Sequence, residues 1–149
     1  MNDQDFISSL IVGDFIRNFT CREISWEFQF NEFEYVFIAA EVSSPDEVLL
    51  NQLYEKNYSL VNKAIDKELI AQSTIIALCL RQKITDVKLS EDSVLTMYFE
   101  NGVQISFPST VEIIDWQWAF TIDGKIPYTT KDYKIACFGE KQIEYGQNS

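Results

Sequence analysis

Leu95, Met97 and Phe99 lead into Glu100-Asn101-Gly102, and Val103, Ile105 and Phe107 lead out of it. Apolar residues alternating with period two on both sides of an Asn-Gly turn specify an antiparallel hairpin. Its register can be derived. A two-residue Asn-Gly loop would pair Glu100 with Val103 and send the two apolar rows to opposite faces. A three-residue loop pairs Phe99 with Val103, Met97 with Ile105 and Leu95 with Phe107, and it places Gly102 at the left-handed bulge position. The three-residue loop is therefore expected.

The same period recurs twice. Trp26, Phe28 and Phe30 alternate with polar residues, the phase slips at Asn31-Glu32, and Phe33, Tyr35 and Phe37 alternate again. A two-residue loop would set Phe30 opposite Phe33, Phe28 opposite Tyr35 and Trp26 opposite Phe37. The aromatics then share one face, leaving Glu27, Gln29, Glu34 and Val36 on the other, with Glu32 at the tip. That turn asks for positive φ at Glu32, which asparagine tolerates and glutamate does not. Further on, Ile114, Trp116, Trp118, Phe120 and Ile122 alternate up to Asp123-Gly124. After a Pro127 loop come Tyr133 to Phe138 and Gln142 to Tyr145 around Gly139, completing an antiparallel meander. By alternation Trp116 and Trp118 share a face and Asp115 points away.

Between these β regions, Asp46 to Asn101 contains no glycine or proline. Ser44-Pro45-Asp46-Glu47 carries a capping-box signature with proline at the first helical position. Leu50, Leu53, Tyr54, Val61, Ala64, Ile65 and Leu69 recur at helical spacing, so one or two helices extend to about residue 70, with a break expected at Asn57-Tyr58-Ser59. Ser73 to Leu80 suits a buried strand and a buried helix equally. Ile16 to Phe19 followed by Trp26, Phe28 and Phe30 parallels Ile84 to Val87 followed by Leu95, Met97 and Phe99, which is either an internal duplication or a pair of unrelated hairpins. The expected fold is one α+β domain, residues 1–149, with antiparallel β-sheet and a central helical segment.

Charge narrows the function. Twenty-three acidic residues face twelve basic ones and no histidine, for a net charge of −11. Residues 1–54 hold ten carboxylates against Arg17 and Arg22, a net −8, leaving −3 for the rest. Such a field repels nucleic acid and anionic membrane and speeds encounter with a basic protein. With 46 % hydrophobic and 14 % aromatic residues the chain has material for a packed core, which excludes disorder. The acidic N-terminus is unlike a secretory signal and no apolar run reaches membrane-span length, so a cytoplasmic protein is expected. Cys21, Cys79 and Cys137 are odd in number and lack CxxC spacing, which argues against a disulfide framework or zinc site.

Lack of histidine removes the commonest general base and metal ligand. The five glycines are isolated, so no phosphate-binding loop, GxSxG or Walker lysine exists. The best carboxylate pair for hydrolysis is Glu112 with Asp115, beside Trp116 and Trp118, although core tryptophans on one side with a solvated acid on the other is the favoured account of it. No cofactor, metal or catalytic residue is expected.

The segment 84–118, with Ile-Thr-Asp-Val-Lys-Leu, Leu-Thr-Met-Tyr-Phe-Glu-Asn-Gly-Val-Gln-Ile, Pro108-Ser109 and Asp115-Trp116-Gln117-Trp118, resembles a β-hairpin module of small bacterial proteins. Some of these resemble immunity proteins of polymorphic toxin and contact-dependent growth inhibition systems. The resemblance implies a small, cytoplasmic, acidic, non-enzymatic inhibitor that covers the basic cleft of a toxin domain, such as a nuclease. Two other readings stand beside it: a carboxylate-dependent enzyme using Glu112 and Asp115, and an acidic structural or assembly module. For the inhibitor, the acidic face of the first hairpin supplies the partner-binding residues: Glu27, Glu32 and Glu34, with Glu23 and Glu41 at its margins.

Overall fold

The computed structural model describes residues 1–45, 47–60, 67–112, 114–128 and 131–146. Among them are three helices and nine strands, the strands forming antiparallel sheets of six and three, so the α+β expectation holds.

A helix that the alternation analysis passes over comes first. In α1 (Asp3–Ile11), Asn2 Oδ1 accepts from Asp5 N at 2.7 Å and caps the N-terminus, with Asp3 and Asp5 in the first turn. A capping side chain and acid at the positive end of the helix dipole both favour a start here. Ile7 and Ile11, one turn apart, are fully buried.

The first hairpin joins β2 (Trp26–Phe30) to β3 (Val36–Ala39), and β1 (Ile16–Cys21) flanks β2. Its register departs from the expected one by two residues: Phe28 faces Phe37 and Trp26 faces Ala39. The loop is residues 31–35. Asp14 holds it, its carboxylate accepting from Glu32 N at 3.1 Å and from Phe33 N at 2.9 Å. The longer loop spares Glu32 the positive φ that a two-residue turn demands, and a shift by two leaves every side chain on its expected face.

The second hairpin, β5 (Leu95–Phe99) and β6 (Gln104–Phe107), has the derived register, pairing Met97 with Ile105 and Leu95 with Phe107. Phe99 N donates to Val103 O at 3.1 Å, and Gly102 sits at φ +87°. With β4 (Ile84–Leu89) it makes the three-stranded sheet. The meander is β7 (Trp118–Thr121), β8 (Tyr133–Cys137) and β9 (Ile143–Tyr145); it extends β3, giving the order β1-β2-β3-β7-β8-β9.

Helix α2 (Glu47–Leu60) begins within the predicted signature but two residues beyond Pro45, the expected first helical position; Asp46 between them lies outside the described residues. It runs through Asn57-Tyr58-Ser59, where a break was expected. Polar residues lower helix propensity by only tenths of a kcal/mol, and contact with a second helix outweighs that. Val61, Ala64 and Ile65 lie outside the described residues. In α3 (Lys67–Cys79) the ambiguous 73–80 segment is helical through Cys79; Ser73 and Thr74 hydroxyls donate to the carbonyls four residues back, each at 2.8 Å.

The parallel between the two hairpins is a structural repeat. α1-β1-β2-β3 and α3-β4-β5-β6 share their element order, and both first strands carry a bulge, between Ile16 and Asn18 and between Ile84 and Asp86. The units meet about a pseudo-twofold axis: Gly13 N donates to Ile84 O at 2.8 Å, and Arg81 N donates to Ile16 O at 3.1 Å. Equivalent residues are 68 apart, and Gly13 and Arg81 share positive φ of 95° and 64°.

The main core lies between the sheets. Phe107 of the small sheet reaches Phe37 at 4.7 Å and Phe28 at 5.6 Å between ring centroids. A second cluster, Val36, Ile38, Trp116, Ala119, Tyr133 and Ala136, covers the other face of the large sheet. Trp116 and Trp118 therefore lie on opposite faces, contrary to the alternation. Trp116 precedes the regular strand, where the Gln117 side chain ties the chain to Val111 through Nε2 to O at 3.0 Å and Oε1 from N at 2.9 Å. Among the described residues no helix is long and apolar enough to cross a membrane.

Candidate acidic interaction face

The five sequence-predicted residues line adjoining depressions along the outer face of the large sheet and at its end against α3. Glu23 and Glu27 border a groove of about 360 Å³ floored by Ile38 and Trp116. Glu32 and Glu34 border a second of about 270 Å³, and Glu41 a third of about 180 Å³ against α3. Glu23 belongs to the first and third, and a sixth carboxylate, Asp123, joins the first to the second. Six carboxylates thus face only Arg17 and Arg22 along this track, a net charge of −4.

Local structure explains each placement. Glu27 alternates outward on β2, Glu23 sits in the β1–β2 turn, and Glu32 and Glu34 ride on the loop held by Asp14. Glu41 follows β3, its Oε1 accepting from Val42 N at 2.9 Å and from Gln72 Nε2 at 2.6 Å. Asp123 was missed because Asp123-Gly124 has the local appearance of a strand terminator. Only the pairing of Val36 with Thr121 brings it beside the first hairpin.

The carboxylates are not equivalent. Glu23, Glu32 and Glu34 are exposed. The side chain of Glu27 is only 13 % exposed and accepts at Oε2 from both Arg22 Nη2 at 2.8 Å and Nε at 3.0 Å. A Cβ on Gly124 would stand 2.9 Å from that same oxygen, so the turn packs closely against it. Reversing Glu27 would set a lysine against Arg22 in a largely buried position and lower stability. At the groove rim Ile24 and Ile126 are 58 % and 45 % exposed, beside the carboxylates. Apolar anchors within a charged rim are the make-up of protein–protein interfaces.

Elsewhere the chemistry is sparse. Glu112 and Asp115 are both exposed, outside the water-excluded setting that carboxylate catalysis uses. Cys21 is exposed, whereas burial pushes the thiols of Cys79 and Cys137 up to about 12 and about 11. Among the described residues no three His, Cys, Asp or Glu side chains are grouped to hold a metal ion. Compared with protein-family models, curated proteins and solved structures, the chain finds no match.

Proposed function

We propose that this protein is a non-enzymatic inhibitor of the immunity-protein kind, acting in the cytoplasm, which binds a basic toxin domain and covers its active site. The observation that carries the reading is the acidic track: of its six carboxylates, only Glu27 has an ion-pair partner among the described residues. Unpaired carboxylates in one tract attract a cationic surface at long range. Ile24, Ile126 and the Trp116 floor supply the apolar contact that slows dissociation once the charges have docked. Occlusion requires no catalytic group. The cationic cleft of a nuclease, built to hold phosphate, is a complementary target.

The test uses the basic C-terminal domain of the large secreted protein that this reading places beside it in the genome. Association should be fast at low salt and slow at least tenfold between 0.05 and 0.5 M salt, roughly the range over which the screening length halves or more. The double variant Glu32→Lys, Glu34→Lys should associate more slowly still, with an unchanged thermal midpoint. Lack of binding, or an association rate indifferent to salt and to both reversals, would refute the proposal.

A further inference from the structure

The two repeat units differ where each hands its first strand to the other unit's helix. At the end of β4, Leu89 N donates to Oε1 of Gln4 on α1 at 3.0 Å, tying strand to helix. The residues 68 positions away from this pair are Cys21, at the end of β1, and Gln72, on α3. Gln72 does not repeat the tie. Its Nε2 instead donates to Val42 O at 2.8 Å and to Glu41 Oε1 at 2.6 Å. Both partners are acceptors, so chemistry alone assigns the nitrogen to that side and turns Oε1 away from them. Gln72 is 7 % exposed, and its Oε1 accepts no hydrogen bond from the described residues.

That glutamine stands in the wall of the 180 Å³ cleft between the β1–β2 turn and α3. Glu41 and Glu23 line the same cleft, with Trp26, Leu69 and Ile114 as its apolar surfaces. The polar side of the cleft is thus rich in acceptors. Arg22 at the rim is engaged by Glu27, which offsets its charge.

We propose that this cleft seats an arginine side chain of the basic partner, a refinement that rests on the inhibitor reading above. A guanidinium brings five N–H donors and no acceptor, which suits the Gln72 carbonyl and the two carboxylates together. It is also weakly hydrated and packs on apolar and aromatic walls, whereas a lysine ammonium is compact and holds its water. An anion would meet two carboxylates, with its nearest guanidinium, Arg22, already paired to Glu27, and a neutral apolar side chain would leave Gln72 Oε1 unsatisfied.

The test is a titration of the isotope-labelled full chain with N-acetyl-arginine amide, followed by NMR at the Gln72 side-chain amide and the backbone amides of Trp26 and Val42. Saturable millimolar binding is expected, at least fivefold weaker for N-acetyl-lysine amide and lost for the uncharged citrulline analogue. Glu23→Gln, an exposed position that leaves the core intact, should weaken arginine binding severalfold. Gln72→Met should weaken it further, its fold checked by the unchanged spectrum of β9, at the opposite edge of the large sheet from β1. Equal, unsaturated shifts for arginine and lysine would overturn the seat. Shifts confined to Glu32, Glu34 and Asp123 would also overturn it while leaving the acidic face in place. If a hexa-arginine peptide perturbs no residue of the track either, the inhibitor reading falls as well.

Discussion

Replacing Asp14 by alanine should unfasten the loop that carries Glu32 and Glu34 without touching either residue. The Asp14 carboxylate accepts from Phe15 N at 2.8 Å, from Glu32 N at 3.1 and 3.2 Å and from Phe33 N at 2.9 Å. A hydrogen bond to a charged group contributes about 1.5–3 kcal/mol when its donor has no alternative. Phe33 is half-buried, so its N–H counts nearly in full. Glu32 is exposed, and water replaces most of what its N–H loses; the Phe15 bond is local and survives in part in the unfolded chain. The sum is about 2–4 kcal/mol, which lowers the midpoint of a domain of this size by roughly 5–15 °C. Calorimetry reads that loss. Hydrogen exchange should show the Phe33 amide opening selectively, and association with a basic partner should slow because the two glutamates are no longer held in place. A midpoint within about 1 °C of wild type, far below the predicted loss, together with unchanged Phe33 protection would refute Asp14 as the clamp.

Other expectations follow from the core and the ion pair. Phe107→Ala removes the ring that joins the two sheets and should cost about 3–5 kcal/mol while keeping one calorimetric transition, since both sheets share one core; two separated transitions would contradict the shared core. Glu27→Lys should lower the thermal midpoint whereas Glu34→Lys should not, because only Glu27 is largely buried and paired to Arg22; equal midpoints would contradict this. At pH 8 a thiol-alkylating reagent should modify Cys21 in the native protein and spare Cys79 and Cys137, whose buried thiols stay protonated far above that pH. Mass spectrometry decides, and modification of all three without unfolding would contradict their burial.

Local chemistry made several elements legible. Period-two alternation with glycine in the left-handed position determined the register of the second hairpin, because the alternative loop would have split its apolar rows between two faces. The proline signature at 44–47 located the start of α2, and alternation assigned the aromatic and acidic faces of the first hairpin. Alternation cannot detect a slip of two, however, since every side chain keeps its face. Asp14, 18 residues before Glu32, chose that register through its hydrogen bonds. Trp116 crossed to the opposite face because the side chain of Gln117 turns the chain just before β7. Asp123 entered the acidic track through the pairing of β3 with β7, a contact between segments some 85 residues apart. Propensity and periodicity act over neighbours, so they decide elements and faces. Which edge each strand finds, and which carboxylates then stand side by side, is decided by contacts that exist only once the core has closed.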